Sequence, residues 1–273
     1  MGQRFWEVMD IANEISLVLI IPIFFGISFI YSSVGFGGGS SYIAILVLLG
    51  ISLFAVPPVA QILNIIVASM AMINFAKAKH LSLKFTLPFM SSVPFAFLAG
   101  TIALPEKSLA LIFVIALFAA SGALLLSGTK AKFRKSEESK GRKSIPWERP
   151  RMFLLIGIPA GAIIGIVAGL VGIGGGIWLS PLVILSGMAD PKRAAATSSA
   201  FIIANSVAGF LGQSVSKTID FALLLPLAMV VVAGGLIGSR LGAFRFDHDK
   251  IRIIVGVIVG IAGLNLMIKF LFS

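Results

Sequence analysis

Apolar residues run along this chain in blocks about as long as a bilayer is thick, and charged residues fall almost wholly in the gaps between them. Ile15–Val34, Val59–Ala76, Leu83–Leu104, Leu109–Leu126, Met152–Val171, Ala194–Gln213, Phe221–Leu241 and Ile251–Phe272 each hold 18–22 residues. An α-helix needs roughly 20 to span the hydrocarbon core. Two shorter blocks, Ser41–Leu49 (extendable to Val56) and Ile177–Gly187, are equally apolar. The longest polar gap is Ser127–Arg151, with nine Lys or Arg and three Glu. The pattern predicts an all-α integral membrane protein with an N-terminal transmembrane region 1–126, a basic linker 127–151 and a C-terminal transmembrane region 152–273.

The two regions repeat each other at an offset of 137–141 residues. Each reads as a long helix, a glycine-rich turn, a short segment and three more long helices. Val34 and the turn Gly-Phe-Gly-Gly-Gly (35–39) match Val171 and Gly-Ile-Gly-Gly-Gly (172–176), Pro88 matches Pro226, and Gly100 matches Gly238. Self-similarity on this scale indicates an internal duplication.

Charge in the gaps predicts the parity of the repeat. Cytoplasmic loops carry the excess of Lys and Arg, so the linker is expected inside. If every block crosses, each half has five crossings, and eighteen Lys or Arg lie inside against four outside. If the short blocks dip in and return, the split falls to fifteen against seven. The odd count separates the charges better. It predicts two inverted five-helix repeats, about ten transmembrane segments with the second of each repeat short, and both termini outside. A ten-residue helix is only ~15 Å long, half of a ~30 Å core. The glycine turns are therefore expected inside the membrane, as broken helices meeting near the midplane. Irregular backbone is tolerated there only where protein or a wet cavity covers it, and inverted repeats with broken helices are a transporter design.

Composition narrows the chemistry further. Apolar residues make up 58% and charged residues 12% of the 273, far from the soluble norm of about a quarter charged. The net charge of +11 sits in the connections, where it sets orientation and meets anionic lipid headgroups at the linker; nucleic acid is not an expected partner. No cysteine is present, and the two histidines, His80 and His248, lie in short charged gaps and read as solvated. No catalytic residue, metal site or cofactor is expected. Residues 1–14 mix Arg4 with Glu7, Asp10 and Glu14 and lack the marks of a signal peptide, so the first block is expected to stay in the membrane. Trp6 and Trp147 read as interfacial anchors.

Candidate binding residues follow from the turns. Unpaired backbone N–H groups at a helix N-terminus make an anion site without formal charge. This picks out Gly37, Gly38, Gly39 and Ser40 in the first half and Gly174, Gly175 and Gly176 in the second. Hydroxyls and amides on the following helices can donate to oxyanion oxygens: Gln61 and Asn64, then Thr197 and Ser198. The competing reading for the glycines is close helix packing, and for the polar side chains interhelical hydrogen bonding. Packing is the expected role of Gly157, Gly161, Gly165 and Gly169, of Gly234, Gly238 and Gly242, and of Asn74 and Gln213 near helix ends. Tyr31, Tyr42 and Trp178 flank the turns. No Asp or Glu lies mid-block, where proton- and cation-coupled carriers place them.

The duplicated turns also carry a family resemblance. Gly-Leu-Val-Gly-Ile-Gly-Gly-Gly (169–176), Pro181 and Asp-Pro-Lys-Arg-Ala-Ala-Ala-Thr-Ser (190–198) resemble the TauE/SafE sulfite exporter family, also called the toluene-sulfonate uptake permease family. The first half matches through Ser33–Gly39; its counterpart of 194–198, Pro57-Pro58-Val59-Ala60-Gln61, lacks the Thr-Ser pair. The resemblance implies a cell-membrane transporter of small sulfur-containing anions such as sulfite, organosulfonates or thiosulfate, often for export, and a homodimer is compatible with it. Other classes stay open on the sequence: a passive anion channel, an uptake permease for an organosulfonate or other small oxyanion, or a helper subunit. A membrane-embedded enzyme is disfavoured by the lack of intramembrane His, Cys or carboxylate.

Overall fold

The computed structural model describes residues 20–138, 150–217, 219, 221–246 and 248–272. Trp6, Trp147 and both chain ends lie outside them. The described chain is helical: α1 (Ile20–Ser33), α2 (Gly39–Leu48), α3 (Val56–Lys77), α4 (Leu83–Thr86), a 3-10 turn (Leu87–Ser91), α5 (Ser92–Gly100), α6 (Glu106–Glu138), α7 (Pro150–Val171), α8 (Gly176–Leu185), α9 (Pro191–Gln213), α10 (Phe221–Phe244) and α11 (His248–Phe272). Seven spans among these residues are long and apolar enough to cross a membrane, and α1, α2 and α8 are shorter apolar helices. This is a multi-pass membrane protein.

Two predicted boundaries shift for physical reasons. The block Leu83–Leu104 is not one smooth helix, because Pro88 falls in the 3-10 turn between α4 and α5. Proline removes a backbone donor and its ring clashes with the preceding turn. The matching Pro226 is carried inside α10 without a break. At the linker, α6 continues to Glu138, since Lys, Arg and Glu are good helix formers even when polar; residues 139–149 lie outside the described part.

Packing follows the small residues. The four-spaced glycines of α7 face the 3-10 turn and α5: a Cβ on Gly161 would stand 2.6 Å from Phe89 O, and one on Gly165 would stand 2.8 Å from Ser92 Cα. Those of α10 face α1 in the same way, Gly234 against Phe25 O and Gly242 against Ser33. Such contacts let backbones approach where apolar side chains gain little from leaving lipid. The contacts exchange between the halves: α3 packs on α9 and α6 on α11, while α5 on α9 is answered by α10 on α3 and α8 on α6 by α2 on α11. Asn74 Nδ2 donates to Ser239 Oγ (2.8 Å) and Gln213 Nε2 to Gly169 O (2.9 Å), the interhelical bonds expected of them. Leu83, Leu155 and Met229, by contrast, point outward.

The connections gather at two ends. At the basic end, Arg252 Nη2 donates to Pro191 O (2.8 Å) and Lys192 Nζ to Ala243 O (3.3 Å). The rings of Phe75 and His248 meet there, 5.6 Å apart. At the other end, Ser52 Oγ (3.1 Å) and Leu53 N (3.0 Å) donate to Glu106 Oε1, Lys217 Nζ lies 4.8 Å over the Phe54 ring, and Lys269 Nζ donates to Val47 O. His248, read from sequence as solvated in a short charged gap, is buried, and so is Arg252. Helix α11 already begins at His248, so Arg252 stands one turn inside it and faces α9. Burial, with Lys192 beside it, pushes the half-buried His80 imidazole below its ordinary pKa.

Candidate functional site

Each glycine turn is a short unwound stretch between a long helix and a ten-residue one. Helix α2 begins at Gly39 behind Gly38, whose φ of 92° is left-handed, and α8 begins at Gly176 behind Gly175 with φ 79°. Left-handed backbone disfavours any residue with a Cβ. That is why both N-caps are glycine and neither offers a side chain to the first N–H groups. The correspondence extends to the far ends, where Gly50 (φ 94°) and Gly187 (φ 75°) close α2 and α8. Both turns are fully buried.

Helices α3 and α9 supply the walls, and they bring the two turns together. Gly35 lies against the Ala195 backbone of α9, while Gly172 lies against Pro57 of α3. Asn64 reaches both turns. Its Oδ1 accepts the Gly39 N–H at 2.8 Å, and its Nδ2 stands 3.3 Å from where a Gly174 Cβ would be. An N–H can only donate, so this bond fixes which amide atom is oxygen. Gln61 Nε2 stands 3.2 Å from a Gly172 Cβ position and 3.0 Å from that of Gly209. Among the described residues, Asn64 Nδ2, both amide atoms of Gln61 and the hydroxyls of Thr197, Ser198 and Ser206 have no hydrogen-bond partner, though all are buried. Buried polar groups are ordinarily satisfied, so these side chains are the candidates for meeting another polar group.

The remaining predicted residues are placed as follows. Gly37 packs on Asn64, Gly38 on the Tyr42 ring, and Ser40 is buried in the first turn of α2. Gly175 sits between Ile164 and Phe201, and Gly176 against Ile202 and the Ser198 carbonyl. Ser198 thus approaches the second turn through its backbone, and Thr197 is not among the nearest neighbours of any turn glycine. The flanking aromatics hold the turns: Tyr31 Oη is 2.6 Å from Ser41 Oγ, Tyr42 stacks on Phe24 at 4.9 Å, and Trp178 Nε1 donates to Ala116 O on α6 (3.2 Å). Sequence reasoning missed Ser206, whose Oγ lies 2.7 Å from a Gly174 Cβ position. It follows Ser198 and Ile202 at steps of four, a helix-face spacing that was available in the sequence. Among the described residues no His, Asp, Glu or Cys group is placed to hold a metal.

A multi-pass helical membrane protein with buried, uncharged hydrogen-bonding side chains around two glycine turns is the class these features define. The family model described as Sulfite exporter TauE/SafE matches residues 20–266, and the chain belongs to that family of membrane transporters. It is 32% identical over 249 residues to "Probable membrane transporter protein y4hK" of Sinorhizobium fredii, covering 89% of this chain and 95% of the relative. It is 29% identical to "Probable membrane transporter protein YunE" of Bacillus subtilis, over 43% of each chain, and 26% to a "Probable membrane transporter protein" of Xylella fastidiosa, over 42% and 44%. No solved structure matches.

Proposed function

We propose that this chain is a carrier for small sulfur-containing anions, sulfite, organosulfonates or thiosulfate, that binds its substrate between the two glycine turns and exports it by alternating access. The observation that carries the reading is the pair of half-helices, α2 and α8, both preceded by buried left-handed glycines, with Asn64 reaching both turns. A helix N-terminus carries roughly half a positive charge, and a buried site with small effective dielectric makes that partial charge count. Gly37–Ser40, Gln61, Asn64, Gly174–Gly176, Thr197 and Ser198 are the proposed site, with Ser206 added to it.

The same reading makes the halves two inverted five-helix repeats with about ten transmembrane segments and turns near the midplane. Its support is the exchange of contacts between the halves and the run of the short helices: α2 leads from Asn64 to the Lys269 end, and α8 leads toward Asp190 at the basic end. By the positive-inside rule, the basic end and linker 127–151 face the cytoplasm of a cell membrane, and both termini lie outside. Anionic headgroups meet the linker. For export, an inside-negative potential favours departure of an anion by ~2.3 kcal/mol per charge per 100 mV.

Flux in proteoliposomes tests the site. Gly38→Leu and Gly175→Leu, checked for folding, are expected to lower sulfite or sulfonate flux at least tenfold; unchanged flux in both would remove the turns from the transport path.

A further inference from the structure

Asn64 does something at the first turn that nothing does at the second. Gly37 and Gly39 have ordinary, negative-φ backbone, for neither is among the glycines with positive φ. Conformation therefore does not demand glycine there; space does. A Cβ at position 37 would stand 2.8 Å from Asn64 Cγ, and one at 39 would stand 2.9 Å from it. Two glycines thus make room for one amide. That amide sets its Oδ1 on the Gly39 N–H at 2.8 Å, the distance at which an oxyanion oxygen would sit. It comes from 25 residues along the chain, on a different helix, whereas ordinary caps come from the residue preceding the helix. Its other end, Nδ2, is fully buried and has no hydrogen-bond partner among the described residues.

We propose that Asn64 is an exchangeable cap: its side-chain oxygen holds the N-terminus of α2 until a small oxyanion takes over the Gly39 N–H. One N–H cannot make two linear bonds, so substrate and Oδ1 compete for it. Competition keeps the α2 donors from being orphaned in the buried turn, which would cost more than the net value of the bond itself. It also tunes affinity: the anion binds against an internal rival, and so leaves more readily on the far side. This inference rests on the proposed anion site and deepens it.

Purified full-length protein in detergent, titrated with sodium sulfite and followed by thermal unfolding, distinguishes the two. Wild type is expected to be stabilised by sulfite. Asn64→Ala is expected to unfold a few degrees lower without sulfite, having lost its cap, and to bind sulfite about fivefold more tightly, having lost the rival, a factor that matches a typical cap. Asn64→Asp keeps the acceptor and adds a negative charge, so sulfite protection is expected to weaken more than tenfold. A merely structural asparagine would lower stability without tightening binding. Loss of sulfite protection in Asn64→Ala, with wild type protected, overturns the exchangeable cap and leaves the anion site standing. Absence of protection in wild type overturns both.

Discussion

The first and second glycine turns share most of their backbone plan and differ in one glycine's conformation and in what faces them. Left-handed glycines fall at 35 and 38 in one and at 172, 174 and 175 in the other, and the ten-residue helices that follow are closed by Gly50 and Gly187. Yet α3 presents an amide, Asn64, to the first turn, whereas α9 presents Ile202 with Ser206 to the second. The Gly39 N–H has a side-chain acceptor; Ile202, which faces Gly176, has none to give. Both turns keep a left-handed glycine ahead of a helix N-terminus, while the chemistry at the two openings differs. One turn carries its own hydrogen-bonding partner, and the other relies on a hydroxyl.

The largest test of that comparison places a methyl group at equivalent positions. Gly35→Ala combines left-handed strain of ~1–2 kcal/mol with a clash against the α9 backbone, whose Ala195 carbonyl carbon is 2.6 Å from the new Cβ. Gly172→Ala meets Pro57 Cβ at 2.7 Å and the flexible end of Gln61 at 3.2 Å. Overpacking adds ~1–3 kcal/mol, and more where helix backbone must move. Both variants are expected to unfold at lower temperature, Gly35→Ala by clearly more; equal losses would show that the two turns are walled alike.

A smaller effect is expected at Ser206. Its hydroxyl is buried and makes no protein hydrogen bond among the described residues, so Ser206→Ala leaves thermal stability within about 0.5 kcal/mol or raises it slightly. Sulfite protection is expected to fall severalfold, because the second turn loses the hydroxyl that faces Gly174. Protection as strong as in wild type would leave the first turn to bind the anion alone.

The smallest effect lies where α2 leads, at the end opposite the basic one. Lys217 is only 8% exposed, lies over Phe54, and burial pushes its ammonium down to about 8. The folded protein then binds fewer protons than the unfolded chain between about 8 and the ordinary 10.5. Stability therefore rises as pH increases through that window, and the burial cost is fully present below it. Lys217→Met is expected to flatten this slope in pH-dependent unfolding; a slope unchanged by the substitution assigns it to another group.

Much of this was legible along the chain, because a bilayer imposes lengths and compositions that a sequence displays directly. The apolar blocks, the duplicated turns, the packing glycines of α7 and α10 and the family resemblance all come from local pattern. Pro88 and Pro226 illustrate the limit: the same residue at matching positions breaks one span and not the other, since surrounding helices decide whether the freed carbonyl and the ring are accommodated. His248 shows the same limit, for a charged stretch reads as solvated until neighbouring helices cover it.

By itself, the sequence determined that this is a helical membrane protein with two matching places where the backbone is stripped of side chains. Hydrophobic block length and glycine's freedom at positive φ are local properties, and they needed no fold to be read. Only the tertiary structure decided which side chains those turns meet. Asn64 is 25 residues from Gly39 and 110 from Gly174, and it is the crossing of α3 and α9 between the turns that gives one amide access to both.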